Sequence, residues 1–342
     1  MVMGKQCRIS IMAVVALMFM FAIRADASLI PSGIEPAVVA LGITQQPDPS
    51  KPAEWFTEGT GFLYGFLVKG DVDPKKREYE VYLVTAGHVV KEHVAAAKAR
   101  STGTPQPNKI EDYDIHIRVN PTNNVSSHVE EFALPSTATA GQSSWWFSDS
   151  ADVAVIHINP SVLTQHGLAF AFIPNDENAA NIAKLKDLQV SAGDGVFVLG
   201  YPMNLAGAEQ NYVIVRQGAI ARITDMLNGV TPSFLLDAFI FPGNSGSPVL
   251  LKPEVVAIAG TKAQASSYLI GLVTSEISYV ETAVSNQTGH MRVAFEENSG
   301  LAVVIPTDTI DDTIKVWRAQ AAGATPAPSP APHLSAPKAG AQ

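Results

Sequence analysis

The chain has 342 residues, 46% hydrophobic and 16% charged, a balance that excludes a disordered polymer and suits two domains or one large two-lobed unit. Its formal charge is −9; without residues 1–27, which hold Lys5, Arg8, Arg24 and Asp26, 20 Lys and Arg face 31 Asp and Glu, or −11. That balance repels phosphate backbones and argues against nucleic acid as a partner.

In chain order, Lys5 and Arg8 precede an apolar run from Ile9 to Ile23, and Ala25-Asp26-Ala27 offers a small-residue cleavage pattern. Residues 1–27 therefore read as a secretory signal peptide, with a mature chain beginning near Ser28 that is secreted or periplasmic. The run is shorter than the ~20 residues of a spanning helix, and no second one follows, so no membrane span is expected after cleavage. The only cysteine, Cys7, falls inside this segment and predicts a mature chain without disulfides.

Beyond it, short apolar or alternating runs are broken by glycine, proline and asparagine. Strands are predicted near Ala37–Gly42, Gly61–Val68, Tyr79–Ala86, Ile115–Val119, Val153–Ile158, Gly195–Gly200, Tyr212–Ile223, Ser233–Phe239, Pro248–Leu251, Val255–Thr261, Leu269–Thr274 and Leu301–Ile305. Such a series with few helices favours an all-β fold of antiparallel barrels or a sandwich. Ser101–Ser144, rich in threonine, asparagine and proline, reads as a long surface insertion. After Pro306, the spacing of Ile310, Ile314 and Trp317 predicts a helix with one apolar face. From Ala319 onward the Ala- and Pro-rich composition predicts a disordered tail.

The chemistry gathers at "IFPGNSGSPVL", Ile240–Leu250, where turn-forming residues interrupt two apolar runs around Ser245. A hydroxyl becomes a useful nucleophile only when a base takes its proton and a third group orients that base. His88 ends the apolar run "VYLVTAGHVV" and follows small residues that leave room beside its ring. Asp152, in "SADVAVIHI", stands where a buried strand begins, and desolvation there is costly unless a donor such as an imidazole N–H meets the carboxylate. Asp114, in an alternating segment, is the rival acid. His88 and His93 are five positions apart without an H-E-x-x-H pattern, so no metal is expected, and no cofactor.

"GTGF" (Gly59–Phe62), "TAGHVV" (Thr85–Val90), "ADVAVI" (Ala151–Ile156) and "GNSGSPV" (Gly243–Val249), in this order, resemble the trypsin-like serine peptidases, most closely their cysteine-poor HtrA-like bacterial branch. The resemblance implies two six-stranded antiparallel barrels, residues 28–187 with the insertion near 101–144 and residues 188–318 with a C-terminal helix, followed by the tail 319–342. It also implies a serine endopeptidase acting on proteins or peptides through an acyl-enzyme, with His88 as base, Asp152 as its orienting acid, Ser245 as nucleophile and the N–H groups of Gly243 and Ser245 as oxyanion hole. "GLVTSEI", Gly271–Ile277, resembles the strand that pairs with substrate backbone, which makes Gly271, Val273 and Thr274 substrate-binding candidates.

The family's spacing places Phe239 at the base of the primary pocket; with no acid there, a shallow apolar pocket for Val, Ala or Leu is expected, the alternative being a shifted loop that turns Asp237 toward the pocket. Ser247 departs from the HtrA-like pattern, which usually has glycine there, and no PDZ module is expected beyond Ile314. An α/β-hydrolase needs G-x-S-x-G and a histidine late in the chain, neither of which fits. The alternative of another class is a catalytically silent binding or chaperone module of the cell envelope on the same fold. Nothing in the sequence speaks to oligomeric state.

Overall fold

A computed structural model describes residues 29–321 and 323, apart from positions 32, 47, 49, 166, 169 and 208 and segments 104–113, 122–128, 137–142 and 255–261. The signal segment, most of the tail, parts of the insertion and the strand expected at Val255–Thr261 lie outside the described residues.

Eight strands build the first sheet: β1 (Val38–Gln45), β2 (Glu54–Lys69), β3 (Glu78–Thr85), β4 (Ile115–Val119), β5 (Glu130–Leu134), β6 (Trp146–Phe147), β7 (Ala154–Ile158) and β8 (Ile173–Pro174). Their order is β5-β4-β1-β2-β3-β7-β6, and β8 pairs with β2 in parallel beyond the end of β1. The stretch Gly59–Phe66 of β2 is buried on both faces, so its apolar run does not alternate.

Six further strands, β9 (Gly195–Gly200), β10 (Ile214–Arg222), β11 (Phe234–Asp237), β12 (Pro248–Leu251), β13 (Leu269–Val284) and β14 (Met291–Pro306), close a barrel in the order β10-β11-β14-β13-β12-β9. The fold is thus mostly strand, as the runs predict, with one closed six-stranded barrel. The first unit differs from the expected barrel: among the described residues no pairing joins β5 to β6, and β6, two residues long, is too short to carry a ladder across.

Two further differences concern length. His88 lies in the first turn of a 16-residue helix, α1 (Gly87–Thr102), which is absent from the predicted elements and buries Val89, Val90 and Val94 on the sheet. Strands β13 and β14 outrun their predicted lengths and continue as a paired arm that leaves Tyr279, Val284, Met291, Val293 and Phe295 exposed. Three short helices follow in chain order, α2 (Pro160–Gln165), α3 (Ile182–Asp187) and α4 (Thr224–Leu227). Among the described residues no helix is long and apolar enough to cross a membrane.

The final helix, α5 (Thr307–Ala321), packs Ile310 and Ile314 into a core shared by Phe62, Tyr64 and Val84 of the sheet and Leu199, Leu250 and Leu272 of the barrel. It is pinned by polar bonds as well: the Tyr64 hydroxyl donates to Asp311 at 2.9 Å, and Asp308 accepts from the Ile182 N–H at 2.8 Å. Trp317 stacks on His157 with ring centroids 5.6 Å apart. Sheet and barrel therefore share one apolar seam, and the site lies along it.

Candidate active site

Strand register brings the site together. Thr85 on β3 pairs with Ala154 on β7. His88 follows Thr85 by three positions and Asp152 precedes Ala154 by two, so both emerge at the same end of adjacent strands. In the barrel, β12 begins at Pro248 opposite Leu272 of β13, which sets Ser245 at the mouth of that pair; the Gly246 N–H donates to the Val273 carbonyl at 2.7 Å.

The two halves are then tied at the nucleophile loop by Thr60 of β2. Its N–H donates to the Ser245 carbonyl at 2.8 Å, its hydroxyl donates to the Gly243 carbonyl at 2.7 Å, and it accepts the Tyr201 N–H at 3.1 Å. Thr85 in turn donates to the Thr60 carbonyl at 2.7 Å. Thr60, Thr85, Tyr201 and Gly243 are buried, where an unmade hydrogen bond costs about 1–3 kcal/mol.

Three side chains far apart in sequence meet at this seam. His88 Nδ1 lies 2.6 Å from Asp152 Oδ2, and the His88 N–H donates to Asp152 Oδ1 at 2.9 Å. His88 Nε2 lies 2.9 Å from Ser245 Oγ. A carboxylate beside Nδ1 favours the tautomer that carries its proton there, leaving Nε2 as acceptor for the serine hydroxyl. Burial alone pushes the Asp152 carboxyl up, but the His88 ring and amide and the Lys91 charge outweigh it and hold Asp152 below the usual aspartate value. The rival acid, Asp114, is occupied elsewhere: it accepts the Ser136 N–H at 2.7 Å.

The loop around Ser245 needs glycine for two reasons. Gly243 and Gly246 have φ of +98° and +87°, and an added Cβ would come within 2.3 Å of the Tyr201 carbonyl oxygen and 2.0 Å of the Thr60 carbonyl oxygen, respectively. In this turn the Asn244 N–H donates to the Phe241 carbonyl and the Ser247 N–H to the Asn244 carbonyl, whereas among the described residues the N–H groups of Gly243 and Ser245 have no protein acceptor. Two free donors flanking a serine hydroxyl can hold an oxygen that develops negative charge.

A cavity of about 440 Å³ opens beside Ser245 and is lined by His88, Asp152, Gly243 and Thr274, together with Ile240, Phe241 and Pro242 on one wall and Ser275 and Glu276 on another. Glu58 also lines it, and its carboxylate lies 2.8 Å from Nε2 of the buried His93 on α1. No group of three or more His, Cys, Asp or Glu among the described residues is arranged to hold a metal ion.

The specificity residues expected from sequence need correction. Phe239 does not line the cavity; it is exposed, and its ring lies over Gly300. The chain past β11 stays extended, with Ala238 N–H bonded to the Gly300 carbonyl at 2.8 Å, so side chains alternate and Ile240, not Phe239, faces inward. Gly271 sits inside the barrel wall between Val249 and Pro306. Val273 is buried, and its backbone is committed to Gly246 and Ser247. Only Thr274 of that set lines the cavity. Ser275, Glu276, Ile240 and Glu58 were missed; the one available signal was that β13 continues past Thr274 through "SEISYV".

Comparison with known proteins agrees with this geometry. Among curated proteins, none matches the chain. The trypsin-like peptidase domain matches residues 59–258, a span that holds His88, Asp152 and Ser245 and covers more than half the sequence. The chain therefore belongs to the trypsin-like peptidase family and is a serine protease-type hydrolase.

Proposed function

We propose that this protein is a serine endopeptidase that cleaves peptide bonds through an acyl-enzyme on Ser245. One observation carries the reading: an unbroken chain of contacts from Asp152 through His88 to Ser245 ends beside two uncommitted N–H donors. In the first step the Ser245 Oγ–H proton passes to His88 Nε2 while Oγ bonds to the substrate carbonyl carbon. The carbonyl oxygen takes up the electron pair and is held by the N–H groups of Gly243 and Ser245. The His88 imidazolium, balanced by Asp152, then gives its proton to the departing amine as the C–N bond breaks. Water repeats the sequence on the ester: its proton goes to Nε2, its oxygen bonds to the acyl carbon, and Ser245 leaves with the proton back on Oγ.

The reading includes export: the basic start, apolar run and small-residue site within residues 5–27 support a protease acting outside the cytoplasm. N-terminal sequencing of the mature protein is expected to begin near Ser28.

A fluorophosphonate tests the nucleophile directly. Wild-type protein is expected to be modified at Ser245 and the Ser245→Ala variant to stay unmodified by intact mass. Failure to modify folded wild type contradicts the reading and favours a silent binding module.

A further inference from the structure

The cavity has a wall of opposite character to the apolar pocket expected from sequence. Glu276 stands on β13 two positions past Thr274, and its side chain lines the cavity beside Ser245. Asn298 on β14 fixes it: the Asn298 amide donates from Nδ2 to Glu276 Oε2 at 2.5 Å and to the Ile240 carbonyl at 2.5 Å, and its own oxygen accepts the Gly300 N–H at 2.8 Å. Glu276 is thereby tied to the Ile240 wall across the cavity. Among the described residues Oε1 of Glu276 accepts no hydrogen bond, and no Lys or Arg pairs with Glu276.

The rest of the lining adds negative charge. Glu58 and Asp152 share the cavity with Glu276, and among the described residues no Lys or Arg lines it. Two of the three carboxylates already have partners, Asp152 in His88 and the Lys91 charge and Glu58 in His93, and Arg216 stacks 5.1 Å from the centroid of the Phe241 ring, which leaves Glu276 as the carboxylate without a cationic or imidazole partner among the described residues. A half-buried carboxylate with an open acceptor is costly unless a donor reaches it. The cavity adjoins the N–H groups of Gly243 and Ser245 and runs between Ile240–Gly243 and Thr274–Glu276, so it can receive a side chain of a substrate whose carbonyl is held by those donors.

We propose that Glu276, held by Asn298, determines specificity, and that this cavity takes the side chain of a lysine or arginine, so that cleavage follows basic residues. The ammonium or guanidinium donates to Oε1, a charge-assisted bond in partly excluded water, and the acidic cleft draws cationic segments toward it. The acid comes from β13, not from the end of β11 where sequence spacing places the pocket base. This inference rests on the serine-peptidase reading above.

Two measurements test it. The first compares peptide amides identical except before the scissile bond, with Arg, Lys, Gln, Leu, Val or Glu there. Arg and Lys are expected to exceed Leu in kcat/KM, with Glu slowest, and Glu276→Gln is expected to shrink the Arg-to-Leu ratio by about ten- to a hundredfold, the weight of a charged hydrogen bond. The second is independent of turnover: 4-aminobenzamidine fluorescence is expected to show saturable binding to Ser245→Ala and at least tenfold weaker binding to Ser245→Ala/Glu276→Gln. A wild-type preference for Leu or Val, or a Glu276→Gln enzyme that keeps its Arg preference, overturns the assignment. If wild type takes the fluorophosphonate at Ser245 yet prefers apolar residues, the pocket assignment alone fails; if Ser245 never reacts, the peptidase reading fails and takes the assignment with it.

Discussion

The open sheet and the closed barrel contribute different chemistry to one seam. In the proposed mechanism the sheet supplies the groups that handle protons: the register Thr85↔Ala154 aligns His88 and Asp152. In the same proposal the barrel supplies the groups that handle the carbonyl: Ser245, the free N–H donors, and the wall formed by Thr274, Ser275 and Glu276. Neither half holds a complete set, so reactivity depends on the fixed relation between them. That relation is set by a buried apolar core and by Thr60, a sheet residue bonded to the barrel's loop. The difference teaches that in this molecule the packing between units is as much a part of the site as the side chains.

Removing a member of the relay gives the largest expected effect. Ser245→Ala and His88→Ala are each expected to lower kcat by about a millionfold, and the double variant by no more than either alone, because the two act as one unit. Peptide hydrolysis in single and double variants checks this; additive losses would mean that sheet and barrel act independently. Asp152→Asn, which spares the packing but not the tautomer preference, is expected to lose about ten-thousandfold.

Next comes the barrel's own contribution. Gly243→Ala places a Cβ against the Tyr201 carbonyl and is expected to displace one donor, for a loss of about a hundred- to a thousandfold in kcat. If the barrel supplies only carbonyl binding, this variant keeps the wild-type dependence on His88.

The seam itself is probed by stability. Ile314→Ala, at a fully buried position shared by both halves, is expected to cost about 2–5 kcal/mol in denaturant unfolding. Thr60→Val strands the Gly243 carbonyl and the Tyr201 N–H, each worth about 1–3 kcal/mol when buried without a partner. It is expected to lower both stability and kcat, whereas Ile314→Ala acts mainly on stability; equal kcat losses would erase the distinction between clamp and core.

The smallest effect is a pH dependence in the sheet half. Asp152 is held below the ordinary aspartate value of 3.8, so its folded form binds a proton less readily than its unfolded form. Its contribution to stability is therefore fully present above pH 3.8 and is lost as the pH falls through the depressed folded value. The stability gap between wild type and Asp152→Asn, measured by thermal unfolding across the acid range, is expected to narrow in that direction and not toward neutral pH.

Legibility also divides along the seam. Relay residues stand out in sequence because each sits where a buried run meets a turn, as in "TAGHVV" and "GNSGSPV", and that local punctuation needs no knowledge of partners. Barrel strands were readable for the same reason. The helix that holds His88 is absent from the predicted elements, although "VAAAKA" is rich in good helix formers. Glu276 was hidden because its role comes from pairing: only when β13 and β14 run together does Asn298 reach it, 22 positions away. Phe239 misled because counting back from the serine assumes a loop path, while the alternation of an extended chain turns that side chain outward. Positions set by turns are legible one segment at a time; positions set by register between distant strands are not.

The most direct test of a base in the sheet activating a nucleophile in the barrel is the rate of Ser245 modification by a fluorophosphonate in folded wild type and folded His88→Ala. The account predicts that wild type reacts at Ser245 alone and that the variant reacts at least about a thousandfold more slowly. Equal rates in the two proteins would contradict it, since Ser245 would then owe its reactivity to the barrel alone.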